Sequence, residues 1–217
     1  MRRRLAPLAV LTLLAMTLTA AAFADQEQIR LTSEGQAAAR AALPKQADFG
    51  VGWVAKAYKP SLTNDMRCGS FNPKQSDLVL NGAAGIRFTH PGIQIETVTQ
   101  VLQTSKMVAL DWQRTVEQPA VLPCMRTMIA KTLPAGAKFV SVKRMAFPKV
   151  ATYTDAFRML IDVSAAGSTV RMFADVVLVG RSRTELTMTT VAPLAAGAAV
   201  EAAEFRLAQL AARRATA

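Results

Sequence analysis

Between Ala156 and Val191 apolar and polar residues alternate with a period of two, the pattern of half-buried strands. Centring a hairpin on Ala165-Ala166-Gly167-Ser168 sets Val163 against Val170, Ile161 against Met172, Met159 against Ala174 and Phe157 against Val176 on one face. The other face then carries Asp162 opposite Arg171, Leu160 opposite Phe173 and Arg158 opposite Asp175. Such cross-strand charge pairs contribute only about 0.2–1 kcal/mol each, so their value lies in specifying the register. An odd-numbered turn at Gly180-Arg181-Ser182 adds a third strand, with Val176 facing Leu186 and Ala174 facing Met188. The inner face of this sheet requires a helical layer, while Leu160 and Phe173 on the outer face form a candidate docking patch for a partner.

The same reasoning predicts a second hairpin, Leu78 to His90 and Ile93 to Leu102, around Pro91-Gly92. Phe88 faces Ile95, Ile86 faces Thr97 and Arg87 faces Glu96, and a four-residue loop is favoured over a tight one. Gly82 and Gly85 mark a bend or bulge. Helical periodicity appears after Ser33 (with Gln36 at capping-box spacing), after Ser105, from Pro123 to Leu133, and in the tail from Ala198. In that tail Glu201 and Glu204 lie near the start and Arg213-Arg214 near the end, an order the helix dipole favours. Phe139 to Phe147 reads as a strand, and Phe49 to Tyr58 as an ordered aromatic loop. The predicted order is α-β-β-α-α-β-β-β-β-α: one α+β domain over 25–217, with about six antiparallel strands and helices on one face.

The first residues alter the compartment. Arg2-Arg3-Arg4, the apolar run Leu5 to Thr19 and Ala22-Phe23-Ala24 form a signal peptide over 1–24, with cleavage between Ala24 and Asp25. Its removal takes away three Arg and no acid, lowering the formal charge from +11 to +8. The remaining basic clusters, such as Lys143-Arg144, are too short for a nucleic-acid tract, and export argues against that partner. In an oxidising compartment the two cysteines, Cys68 and Cys124, are expected to pair, closing a loop of about 57 residues.

Candidate chemistry is sparse. His90 is the only histidine and falls at a hairpin tip, expected to be a solvated turn residue. With one histidine and two paired cysteines no metal site assembles, and no phosphate loop or nucleophile elbow is present. Trp53 and Trp112 are the candidate ligand-stacking residues. No catalytic residue and no cofactor are assigned; a carboxylate pair of glycosidase type is left as an alternative.

Gly52-Trp53 after a short Ala/Leu helix, a loop with Cys68, a hairpin, two helices bearing Cys124, and a meander through Val176 to Leu186 ending in a helix make up a composite pattern. This pattern resembles the PknH-like extracellular sensor domain of actinobacterial receptor kinases and the related secreted envelope lipoproteins of Mog1/PsbP-like fold. The resemblance covers about Leu31 to Leu210. It implies a non-catalytic, extracytoplasmic domain that binds a small ligand or envelope component in a cleft between sheet and helices. This chain departs from it in having one possible disulfide instead of two, and in lacking kinase, membrane span and lipobox. Signalling would therefore require a membrane-protein partner. Three readings follow: a secreted ligand-binding module, an interaction protein assisting an envelope partner, and a carboxylate hydrolase.

Overall fold

The computed structural model describes residues 25–62, 67–69, 71–165 and 168–215. The expected leader Arg2 to Ala24 and the hairpin tip Ala166-Gly167 lie outside them. Four helices and a sheet of eight strands occur in the order β1 (Gln28–Ile29), α1 (Ser33–Ala42), β2 (Val54–Tyr58), β3 (Val79–His90), β4 (Ile93–Leu102), α2 (Ser105–Arg114), α3 (Val121–Thr132), β5 (Ala137–Arg144), β6 (Tyr153–Ala165), β7 (Ser168–Arg181), β8 (Thr184–Pro193) and α4 (Gly197–Arg214). The sheet runs β1-β3-β4-β8-β7-β6-β5, with β2 also on β3, and is antiparallel except for the short β1–β3 pairing. The fold class is α+β, with two strands more than the pattern predicts. The two missed strands are edge pieces: β1 spans two residues and β2 leaves Val54, Lys56 and Ala57 exposed, so neither shows alternating burial.

The β6–β7 hairpin pairs as its charges dictate. Asp162 lies opposite Arg171, Leu160 opposite Phe173 and Arg158 opposite Asp175, with Ile161 against Met172 on the reverse face. In the β3–β4 hairpin Phe88 meets Ile95, Arg87 meets Glu96, and a register shift falls between Leu80 and Gly82. Its loop is tighter than expected. His90 pairs with Ile93, and Gly92, at φ 77°, supplies the left-handed residue that a type II turn needs after Pro91. The β7–β8 register also departs from expectation. Arg181 pairs with Thr184 across the two-residue loop Ser182-Arg183, with Ser182 at φ 52°. Leu186 and Met188 therefore meet Val179 and Val177, and Val176 meets Thr189. A change in loop parity moves every side chain of β8 to the opposite face.

Helices cover both faces of the sheet, not one. On the first, α4 lays Val200, Leu207, Ala208, Ala211 and Ala212 over Phe173, Val177, Val179, Leu186 and Met188. Beside it, α1 packs Ala39 and Leu43 on Ala84 and Val101. Helix and sheet approach so closely here that a Cβ on Gly82 would stand 2.0 Å from the Gly35 carbonyl oxygen. On the second face, α2 and α3 set Val108, Trp112, Val121 and Met125 against Leu80, Leu102 and Phe157. Phe173 is consequently fully buried and Leu160 half-buried beneath the α4 region, so the proposed exposed docking patch does not exist.

Both internal helix caps fall one residue earlier than predicted. Thr32 accepts the Gly35 amide at 3.0 Å and Thr104 the Met107 amide at 3.3 Å. Thr32 still donates its own amide to Asn81 O, so the chain leaves the sheet only at Ser33. Cys68 and Cys124 form the expected disulfide, Cα atoms 5.2 Å apart, tying the loop before β3 to α3.

Candidate functional site

Between the α2–α3 layer and the centre of the sheet lies a cavity of about 330 Å³. Its floor is the outward row of β4, β8, β7 and β6: Val98 and Gln100, Glu185 and Thr187, Val176 and Leu178, and Phe157. Its roof is Trp112, Thr115, Val116, Val121 and Met125 from the two helices. Trp112 is buried, and its ring stacks on Tyr153 at 5.3 Å. Gly180 makes this possible, because a Cβ there would stand 2.8 Å from the indole Nε1.

One part of this apolar wall is acidic. Glu27 from the start of the described chain, Asp111 from α2 and Glu185 from β8 all line it. Asp111 and Glu185 are hydrogen-bonded carboxyl to carboxyl, which requires a proton on one of them. The buried Gln75 donates its Nε2 to Asp111 Oδ1 at 2.8 Å. Burial pushes Glu185 well above the ordinary carboxyl range, and the charges of Asp111 and Glu27 push it further, against a hydrogen bond from Trp112. Burial and then Asp111 raise Glu27 to about 7. Asp111 is raised by burial, opposed by Gln75 and Arg114. The Arg114 guanidinium is committed elsewhere, forking onto both Asp77 oxygens at 2.6 and 3.1 Å. Three acceptor atoms of this cluster are shut from water without a hydrogen-bond partner: Glu27 Oε2, Gln75 Oε1 and Glu185 Oε1. Buried polar atoms are normally satisfied, and two of these unmet acceptors, on Glu27 and Glu185, belong to residues that line the cavity.

Of the sequence candidates, Trp112 lines this cavity and Trp53 does not. Trp53 sits across the sheet, 5.0 Å from Phe49 and 5.2 Å from His90, and packs toward the α4 layer. His90 is half-buried against that indole, not a solvated turn residue. Sequence reasoning missed Glu27, Asp111 and Glu185. The available signal was an acid next to Trp112 within an apolar helix, and another beginning a strand otherwise built of Thr, Leu, Met and Val.

A second groove of about 500 Å³ lies between α1 and β2–β3, but its charged residues, Arg40 and Lys59, are solvent-exposed. Among the described residues no set of His, Cys, Asp and Glu is arranged to hold a metal ion, and no helix is long and apolar enough to cross a membrane.

No family model matches the chain, and no curated protein matches it. Solved structures similar to it include the extracellular domain of PknH from Mycobacterium tuberculosis, at TM-score 0.45 and 9% identity over 83% of this chain and 94% of that one. An uncharacterised protein from Mycobacterium smegmatis matches at TM-score 0.44 and 13% identity, over 79% and 93% of the two chains. LpqN, involved in cell envelope biogenesis of Mycobacterium tuberculosis, matches at TM-score 0.32 and 15% identity, over 74% and 84%. The domain that the sequence resembles is thus among its structural neighbours. At these scores the functional argument rests on this chain's own residues.

Proposed function

We propose that this protein is an extracytoplasmic, non-enzymatic domain that binds a small ligand or envelope component in the cavity beneath α2 and α3. The observation carrying this reading is the cavity itself: apolar walls, one polar end, and unmet acceptors where a ligand's polar group would sit. The Cys68–Cys124 bond supports an oxidising compartment. The hydrolase alternative is disfavoured by geometry. Asp111 and Glu185 touch each other, whereas paired glycosidase carboxyls stand about 5–9.5 Å apart with the scissile bond between them. Signalling from a bound state would pass to a membrane-protein partner, and the surface for it is not the covered Leu160–Phe173 pair.

Native mass spectrometry of chain purified gently from its own host tests the reading. The expected result is a one-to-one small-molecule adduct that disappears in Val176→Trp, which fills the cavity, while the far-ultraviolet spectrum stays unchanged. Turnover of a cell-wall ester or glycoside, abolished by Glu185→Gln in a folded protein, would overturn it.

A further inference from the structure

The unmet groups at the acidic end of the cavity specify a class of ligand, an inference that rests on the binding reading above. The geometry points to a small organic cation, a primary ammonium carried on an apolar body, as the occupant, its N–H donors directed at Glu185 and Glu27 and its body lying along Val98, Val116, Met125, Phe157, Val176 and Leu178.

Three observations converge on this. First, the unsatisfied atoms are all acceptors. Glu27 Oε2, Gln75 Oε1 and Glu185 Oε1 lack donors, and an ammonium offers three donors and no acceptor. Second, Glu185 is half-buried and lines the cavity, and its Oε1 has no hydrogen-bond partner. A carboxyl so placed is costly unless a cation or a proton accompanies it. Among the described residues no lysine or arginine lines the cavity, and the nearby Arg114 is held in a fork by Asp77. Third, no three of these carboxyls are arranged as a metal would require, which leaves the longer N–H···O contacts of about 2.7–3.2 Å. The volume, about 330 Å³, lies at the small end of ligand cavities, which span about 300–1,000 Å³, and limits the apolar body accordingly.

Without ligand, the proton shared by Asp111 and Glu185 and a second held by Glu27 keep the cluster from carrying its full negative charge. The charged groups facing it are Glu27 ahead of α1, Asp111 and Arg114 from α2, Glu185 from β8, and Asp77 behind Arg114. An ammonium substitutes for these protons, so binding releases them to solvent. Affinity should therefore rise with pH, by as much as tenfold per unit for each proton released, with the Glu27 contribution levelling off above about 7. The amine itself, like a lysine at about 10.4, stays charged throughout.

The experiment titrates the disulfide-bonded mature chain with three probes of one shape: 4-phenylbutylamine, 4-phenylbutan-1-ol and 4-phenylbutanoic acid. Calorimetry in two buffers of different ionisation enthalpy reads affinity and proton release together. The amine is expected to bind at least tenfold more tightly than the alcohol at pH 7.5, to release protons, and to weaken toward pH 5.5. Glu185→Gln and Glu27→Gln should each lower amine affinity about tenfold or more and leave alcohol affinity within twofold. Melting curves establish that the variants are folded. Alcohol or acid binding as tightly as the amine would overturn the cationic class while leaving the cavity reading intact. If none of the three binds and Val176→Trp alters nothing, both readings fall.

Discussion

The two faces of one sheet have been finished differently. Along β8, residues facing α4 and α1 (Thr184, Leu186, Met188, Thr190, Ala192) are all buried, while those facing α2 and α3 alternate with them as only half-buried. The same alternation runs through β7 from Asp175 to Val179, and through β4 from Ile95 to Val101. Both faces bring carboxyls inside, and under α4 Glu204 is buried with neither oxygen hydrogen-bonded; the contrast lies in Asp175. Under α4, Asp175 is fully buried and forked by Arg158 at 2.7 and 2.5 Å. That guanidinium also reaches Glu201 at 2.7 Å and lies 4.6 Å over the Phe173 ring. Under α2, Glu27, Asp111 and Glu185 are half-buried and line the cavity. A buried charge with a cation belongs to the architecture, whereas acids lining a cavity are placed to meet a ligand.

The sharpest way to break this comparison is to truncate one large apolar side chain on each face. Phe173→Ala should cost about 3–5 kcal/mol in urea unfolding, because it opens a hole under α4 in a closed core. Met125→Ala, whose side chain already borders the cavity, should cost less, roughly 2 kcal/mol. Equal losses would mean that the second face is as tightly packed as the first. Reducing the disulfide probes that second face next. It removes the tie between α3 and the loop before β3, and the chain-entropy relation gives a loss of roughly 4 kcal/mol at most. The urea midpoint should fall on adding reductant; an unmoved midpoint would show that α3 is held by packing alone.

Glu204 supplies a pH-dependent contrast. It is fully buried under α4, and burial pushes its carboxyl up to about 8, with the Thr190 hydroxyl pulling the other way. The unfolded chain releases this proton near 4.5, so between the two values the folded state binds more protons. Stability is then fullest below about 4.5 and falls as pH rises to about 8, by no more than about 1.4 kcal/mol per pH unit from this group. Glu204→Gln should flatten that part of the slope. The slope that remains includes Glu27, Asp111 and Glu185, together with Asp155, which burial also raises, and an amine in the cavity should reduce the part due to the first three. A variant with an unchanged pH profile would remove Glu204 from the account. The smallest effect is expected at the solvent end of the hairpin. Arg171→Ala breaks a well-formed fork on Asp162, 2.7 and 2.9 Å, yet should leave the melting temperature unmoved, since the pair is solvated.

Much of the sheet was legible because its hairpins are local and their charges pair in only one register. Arg158 with Asp175 and Arg87 with Glu96 needed no tertiary information. The two-sided covering was less legible. Phe173 to Val179 is nearly continuous apolar sequence, which marks burial on both faces, but Asp175 in its midst made one face read as polar. Its partner Arg158 neutralises it, so a charged residue here signals a buried pair instead of solvent. Glu204 misled in the same way: α4 starts at Gly197, so this acid lies beyond the first turn where the dipole acts, and nothing local marks its burial. The acidic cluster was illegible because Glu27, Asp111 and Glu185 come from three distant segments, brought together only by the sheet order. Trp112 was found because an indole is conspicuous; Glu185 has no such mark.

That sheet order also bears on how the chain reaches its final state. Every neighbouring strand pair from β8 through β5, and β3 with β4, joins segments close in sequence; the β4–β8 seam instead joins Val101 to Thr184 and Gln94 to Val191. Each half can form from local contacts, whereas the seam carries the loop-closure entropy and is the natural last step of assembly. The cavity floor straddles this seam, with Val98 and Gln100 on one side and Thr187 and Glu185 on the other. A chain whose halves had formed but not zipped together would show its full complement of hairpins and helices and yet have no pocket. Ligand capture would then serve as a late checkpoint, selecting molecules that have closed the seam and slowing its reopening.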